Sequence, residues 1–390
     1  MLRRMRLRLA VVSLLLACGV VLLYGIRRAA PPRSGVARAR PSEAVRAHKP
    51  TAPIEDVAPE PLANGAVREM PSGPLSFLAI GGGATPQSTE VSLEQDLALV
   101  EQALPGPHAL LFAGGQASRS VRVLDDQAPS DELLVRLGEL FAPHTTHRSR
   151  FRPAVLHASA ASLDAVEAEL TAAFSLGTSP LIVYVAAHGQ QGDEARDNSV
   201  VLWGGRGLSV ARLAELHDAH PRPLRLVSAS CFSGGFAELA FEDADEKRGP
   251  ARAPRCGLFA GTWDRETSGC DPDPDRRKQE GYSLHLLQAL RGRDRDGAAL
   301  PLSELDLDGD GAISLLEAHA RARIAGRSID VPTTTSERYL RAVQSKPSAI
   351  DLRLLPEESA VVQQLGARLG LHGQAAARQR FAQVDKQLRE

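Results

Sequence analysis

The apolar run "VYVAAHG" ends in a histidine and a glycine, His188 and Gly189, and in "LVSASCFSGG" the apolar run passes into a cysteine, Cys231, 43 positions after His188. A structural cysteine sits inside an apolar run, whereas Cys231 stands where a parallel strand delivers its loop to a ligand. A thiol is mostly protonated near neutral pH, so a cysteine nucleophile needs a base or a positive neighbour. His188 can supply it. Gly189 leaves its own N–H unobstructed, and with the N–H of Cys231 it can hold the oxyanion of a tetrahedral intermediate. Gly234 and Gly235 would let a substrate backbone pass close by.

A second constellation is the stretch "DLDGDGAISLLE", Asp306 to Glu317. It matches the twelve-residue EF-hand calcium loop at its diagnostic positions. Asp306, Asp308 and Asp310 offer side-chain oxygens, Gly311 the sharp turn, Ala312 its carbonyl, Ser314 a contact through water and Glu317 a bidentate carboxylate. Three carboxylates so close repel one another unless a cation lies between them. The expected cofactor is calcium, in a structural role, because the entering segment "LPLSEL" is short and no second loop pairs with this one.

Short apolar runs alternate with helical patterns in the elements that would position these groups. "LSFLAIGGG", "HALLFAGG", "PLIVYVAAHGQ" and "LRLVSAS" read as strands; "SLEQDLALVEQAL", "ASLDAVEAELTAAF" with Ser162 as N-cap, and "SVARLAELHDAH" read as helices. That alternation predicts an α/β fold, a mostly parallel sheet with helices on its faces. His188 and Cys231 then lie beyond the carboxyl ends of strands separated by one helix, where loops of such a sheet meet.

The first 28 residues differ. "MLRRMRLR" is arginine-rich, eighteen uncharged residues follow, and "RR" closes the run. That length predicts a single-pass signal anchor with the remainder outside the cytoplasm. A lipobox-like "LLAC" ending at Cys18 and ordinary signal cleavage are the alternatives, and all three export the chain. Residues 29–72, rich in Pro, Ala and Arg, read as a disordered tether. The α/β region would span 73–300, the calcium loop and its helix 301–330, and a helical extension 331–390. With 46 basic against 47 acidic side chains and 4% aromatics, nothing marks a nucleic-acid partner. The leucine-, alanine- and arginine-rich composition and the anchor point to a bacterial inner membrane, with the catalytic domain on the periplasmic side. Among the folded region's Cys231, Cys256 and Cys270, one thiol must stay unpaired in a monomer. Cys256 with Cys270 is one possible pairing. His217, His220, His285 and the run "EDADEKR" read as solvated surface, and "DPDPD" as a loop.

The order strand-His-Gly, strand-Cys-x-Ser-Gly, and then "LFAGTWDRETSGCDPD" with "EGYSLHLL" resembles the caspase-like cysteine peptidases, most closely the legumain family and its bacterial relatives. The likeness covers roughly residues 74–292. It implies a caspase-like α/β/α sandwich and hydrolysis of protein or peptide substrates through an acyl-enzyme, with Cys231 as nucleophile, His188 as general base and acid, and Gly189 as oxyanion donor. It also implies substrate contacts at Glu280, Ser230 and Arg265. Family members that select asparagine carry an arginine after the first strand, an acidic residue two before the cysteine and an acidic residue two before the Tyr-Ser pair. Here "GGGATPQSTEVS" has no arginine and Ala229 fills the second position, so only Glu280 matches. Two alternatives accompany the peptidase: a catalytically silent scaffold module at the cell surface, and a peptide ligase in which an amine resolves the acyl-enzyme.

Overall fold

The computed structural model describes residues 73–125, 149–343, 354–371, 379–380 and 383. The expected anchor, tether and Cys18 lie outside them, as does much of the extension after residue 343.

In chain order the elements are β1 (Phe77–Gly82), α1 (Val91–Ala103), β2 (His108–Phe112), β3 (Val121–Leu124), β4 (Ser149–Arg152), α2 (Leu163–Ser175), β5 (Leu181–Ala187) and β6 (Gly189–Gln190). There follow β7 (Ser199–Val201), β8 (Gly207–Ser209), α3 (Val210–Ala219), β9 (Leu224–Ser228), β10 (Arg255–Phe259), α4 (Tyr282–Leu290), α5 (Leu315–Ala325), β11 (Thr333–Thr334), α6 (Thr335–Val343) and α7 (Pro356–Arg368). The main sheet runs β2-β1-β5-β9-β10-β11. Every neighbouring pair in it is parallel except β10 with β11.

Strands buried on both faces need apolar residues at every position, which is why these segments read as continuous runs rather than alternating ones. Leu78, Ile80, Val183, Val185 and Leu226 point to one face, packing with Leu170 and Phe174 of α2 and Leu213 of α3. Their neighbours Phe77, Ala79, Tyr184, Ala186 and Val227 point to the other, against Leu97 of α1, Leu286 and Leu287 of α4, and Ala318 and Ala322 of α5. The result is a three-layer α/β/α arrangement. Ser162 caps α2 as its position implies, accepting the Ala165 N–H, and Ser209 caps α3 through the Arg212 N–H.

Several expectations change. Among the described residues no helix is long and apolar enough to cross a membrane, which overturns the inner-membrane placement. Cys231, Cys256 and Cys270 are all free thiols. Cys256 lies near the amino end of β10, whereas Cys270 lies beyond the carboxyl ends of the strands, so the sheet itself separates them. His217 and His285 are buried rather than solvated: His217 Nε2 meets the Arg222 carbonyl at 2.6 Å, and His285 Nε2 meets Glu280 Oε1 at 2.8 Å. Each is held by a partner five positions away, outside the i, i+3 and i, i+4 spacings at which helical side chains pair. The polar stretch after Gln116 also contains an antiparallel pair, β3 with β4.

Candidate active site

The sheet reverses its direction of growth at β1: β2 is added on one side and β5 on the other. In an open parallel sheet that reversal leaves a crevice outside the carboxyl ends of the strands. Gly82 of β1 is level with Ala187 of β5, and Val185 of β5 with Ser228 of the adjacent β9. His188 and Cys231 therefore leave neighbouring strand ends. Their backbones touch closely enough that a Cβ on Gly189 would lie 1.9 Å from the Cys231 carbonyl oxygen. Only glycine fits there. The Val201 N–H donates to the His188 carbonyl at 2.8 Å. Antiparallel pairs alternate between bonded and non-bonded kinds, so the next pair, Gly189 with Val200, is non-bonded and the ladder leaves the Gly189 N–H free.

Cys231 is followed by Phe232 at φ 58, a left-handed conformation that costs a non-glycine residue about 1 kcal/mol or more. The turn lifts the thiol out of the strand direction. Thr267 holds the sulfur: its N–H lies 3.3 Å and its hydroxyl 3.8 Å from Sγ. Thr267 is itself anchored through its hydroxyl to the Ala229 carbonyl. Next to it, Ser268 donates its N–H to Asp330 at 2.7 Å, and Asp330 also accepts the first N–H of α4, from Tyr282.

His188 uses both ring nitrogens, and neither meets Cys231. Nε2 lies 3.0 Å from Glu90 Oε2 and Nδ1 lies 3.8 Å from Cys270 Sγ. Glu90 stands at the N-cap of α1 without using its side chain as a cap, so its buried carboxylate reaches the imidazole, with Arg122 behind it at 3.6 Å. Cys270 is brought in by "DPDPD", which docks on the start of α1. Ser92 and Asp271 exchange bonds there, and Leu124 and Gln95 donate to the Pro272 and Pro274 carbonyls. Cys270 first and Glu90 second hold the His188 imidazole well above its usual range, which favours an imidazolium. Burial pushes the Cys270 thiol up, against the pull of His188.

Of the expected substrate contacts, Arg265 is exposed on the segment that crosses the site, and its carbonyl accepts the Phe232 N–H. Ser230 is only 2% exposed, with its hydroxyl toward Ser228. Glu280 is engaged internally by His285, Arg295 and the Arg327 N–H. Burial would raise its pKa, yet these partners leave it lowered. It carries no free negative charge for a basic side chain. Gly234 and Gly235 pack against Thr262 and Asn198, so they join loops together rather than admit a substrate.

Asn198, absent from the sequence reading, does much of that joining. It is 1% exposed; Oδ1 accepts the Gly192 N–H, and Nδ2 donates to the Phe232 and Trp263 carbonyls. Those residues belong to the loops after β5, β9 and β10. A lone asparagine before a short strand carries no sequence signal of such a role.

In the acidic loop, Asp306 accepts the N–H groups of Gly309, Asp310 and Gly311, with Gly309 and Gly311 at positive φ. Side-chain ligand atoms of Asp306, Asp308 and Glu317 lie within 4.8 Å of one another. Ser314 and Glu317 form a capping box that opens α5. The segment before the loop is a short 3₁₀ turn, Leu302–Glu304, in place of an entering helix. This oxygen-only donor set suits a hard cation such as calcium.

No protein-family model matches the sequence, and no curated protein matches it. Among solved structures the chain is similar to caspase-1 from Spodoptera frugiperda, at 9% identity and a TM-score of 0.36, over 68% of this chain and 89% of that one. It is also similar to the Drosophila initiator caspase Dronc, at 11% identity and a TM-score of 0.27, over 55% of this chain and 63% of that one. At this level of likeness the functional reading rests on the geometry of the site.

Proposed function

We propose that the protein is a cysteine endopeptidase of the caspase-like kind, with Cys231 as nucleophile and His188 as its acid and base. The observation that carries this is the meeting of His188-Gly189 and Cys231 at adjacent parallel strand ends, with Gly189 against the Cys231 carbonyl. The three sequence blocks around His188, Cys231 and Arg265–Glu280 support the closer likeness to legumain.

In this reading the Cys231 thiolate attacks the scissile carbonyl carbon, and the N–H groups of Gly189 and Cys231 receive the oxyanion. His188, as imidazolium, gives its proton to the departing amine; it then takes one from the water that hydrolyses the acyl-enzyme. Catalytic hydrogen bonds are often unmade before substrate arrives, so the present His188–Cys270 contact does not exclude Cys231 as the reacting thiol. Calcium held by Asp306, Asp308, Asp310, the Ala312 carbonyl, Ser314 through water and Glu317 would stabilise the start of α5, which packs on α4 and so on the Arg265–Glu280 side of the site.

A second reading, a catalytically silent binding module, is favoured by one observation: His188 is occupied by Glu90 and Cys270 and not by Cys231. Turnover of a P1-diverse fluorogenic peptide library by the full chain, with Cys231→Ala as control, separates the two. Cleavage that vanishes in the control supports the peptidase. A folded protein that cleaves nothing and whose Cys231 resists an acyloxymethyl ketone supports the silent module.

A further inference from the structure

The peptidase chemistry uses His188 and gives Glu90 an orienting role, but it leaves Cys270 on the ring unexplained. Glu90 is 6% exposed, a buried carboxylate aimed into the crevice with its Oε2 on the ring. Cys270 offers its sulfur to the other nitrogen from the exposed rim. The carboxylate oxygen, imidazole nitrogen and sulfur all lie within 4.8 Å of one another. In a tetrahedral zinc site the metal–ligand bonds of about 2.0–2.3 Å place ligand atoms roughly 3.5 Å apart. Glu90 and Cys270 now meet different nitrogens of the ring, so the cluster reaches that spacing when a turn of the His188 ring or of the exposed Cys270 rim brings both ligands to one nitrogen.

We propose that Glu90, His188 and Cys270 form a binding site for a borderline-soft divalent cation, best matched by zinc(II), at the mouth of the crevice. A mixed oxygen, nitrogen and sulfur set selects zinc over calcium or magnesium, which prefer oxygen alone. One imidazole nitrogen, the Cys270 thiolate and one Glu90 oxygen supply three ligands, and water takes the fourth position. Binding releases to solvent both the Cys270 proton and the imidazolium proton on the His188 nitrogen that takes the metal. The cation is distinct from the one proposed for the acidic loop, whose donors are all oxygens.

The consequence for activity rests on the peptidase reading: the ring nitrogen that holds the metal has no lone pair or proton to exchange with substrate. Micromolar zinc would then silence turnover, and a chelator would restore it. Cys270 would thus let metal supply gate the reaction without itself being the nucleophile.

The test reads metal rather than turnover, so it stands or falls separately from the peptidase reading. The full chain is dialysed against zinc(II) in a chelator-buffered series, with bound metal counted by mass spectrometry, and cobalt(II) is added in parallel for its thiolate charge-transfer band. We expect one tight equivalent and the band in the parent and in Cys231→Ala, Cys256→Ser and Asp306→Ala. Cys270→Ala and Cys270→Ser should lose the band and bind at least about 100-fold more weakly, and Glu90→Gln about 10-fold or more. Cys270 is at an exposed position, so its variants keep the test valid even if Glu90→Gln misfolds. Unchanged binding in both Cys270 variants would overturn the proposal. So would loss of the band in Cys231→Ala, which would make the nucleophile the ligand instead.

Discussion

Glu90 Oε2 and His188 Nε2 are 3.0 Å apart across 98 positions of sequence, joining the start of α1 to the end of β5. The bond fixes the ring plane of His188 and leaves Nδ1 facing the crevice rim. A carboxylate on the far nitrogen both orients an imidazole and stabilises its protonated form, so Glu90 is a positioning residue acting through His188.

Glu90→Gln keeps a polar partner for the ring but removes the charge. With Cys270 and Glu90 both raising the His188 pKa, loss of the carboxylate lets it fall. The imidazolium that protonates the leaving amine is then lost at lower pH. The alkaline limb of the pH profile of kcat/KM should move toward acid, with about a 10- to 100-fold fall in kcat above it. An unmoved limb in a folded, active variant would show that Glu90 is structural only.

Asn198 should behave as a latch for the site rather than a participant. Asn198→Ala removes one acceptor and two donor bonds in a buried place and leaves an N–H and two carbonyls unpartnered. Each such loss costs about 1 kcal/mol or more. We expect roughly 2–4 kcal/mol less stability by urea unfolding, and slower labelling of Cys231 below the transition. A variant with parental stability would mean that water replaces all three bonds.

How much of this was legible depended on whether partners are local. His188, Gly189 and Cys231 announced themselves because a parallel strand ends in a functional loop, so residue type and position coincide. The turn at Asp306–Glu317 was legible because the side chains that hold it sit within one stretch. Glu90 and Cys270 were not, since their roles exist only once α1 and the 271–275 segment dock on each other. Asn198 was missed for the same reason, as all its partners are backbone groups of other loops. Glu280 matches a family position in the sequence, but His285, Arg295 and the Arg327 N–H take up its carboxylate.

His319 gives the molecule a built-in acid sensitivity. Its Nδ1 meets the Tyr282 hydroxyl at 2.7 Å while Nε2 is buried without a partner, and burial pushes its pKa down to about 3. Unfolded, the ring titrates near 6.5. Between those values the unfolded chain binds a proton that the folded one refuses, so this contribution is complete above about pH 6.5 and shrinks as pH falls toward 3. The slope approaches about 1.4 kcal/mol per pH unit. His319→Gln keeps a hydrogen-bonding partner for Tyr282 and should flatten the stability curve between pH 6 and 4 relative to the parent. Parallel curves would locate the acid sensitivity elsewhere.

Calcium should act through the same hydrogen-bonded loop that already exists without it. Asp306 ties three N–H groups of the loop to itself, so Asp306→Ala ought to cost some stability even in chelator. This differs from a pure ligand, whose loss is silent until the ion is present. With calcium at 100 times its dissociation constant, linkage adds about 2.7 kcal/mol to the parent and nothing to a variant that cannot bind. Two separate drops are therefore expected in Asp306→Ala: a modest one in chelator and a larger one in calcium. Asp308→Asn should mainly show the second, because Asp308 accepts only the Asp310 N–H and an amide oxygen can still do so. Thermal unfolding of the three proteins with and without calcium checks this. A parent Tm that ignores calcium would reduce the acidic loop to a helix-starting turn held by Asp306 and the Ser314–Glu317 box alone.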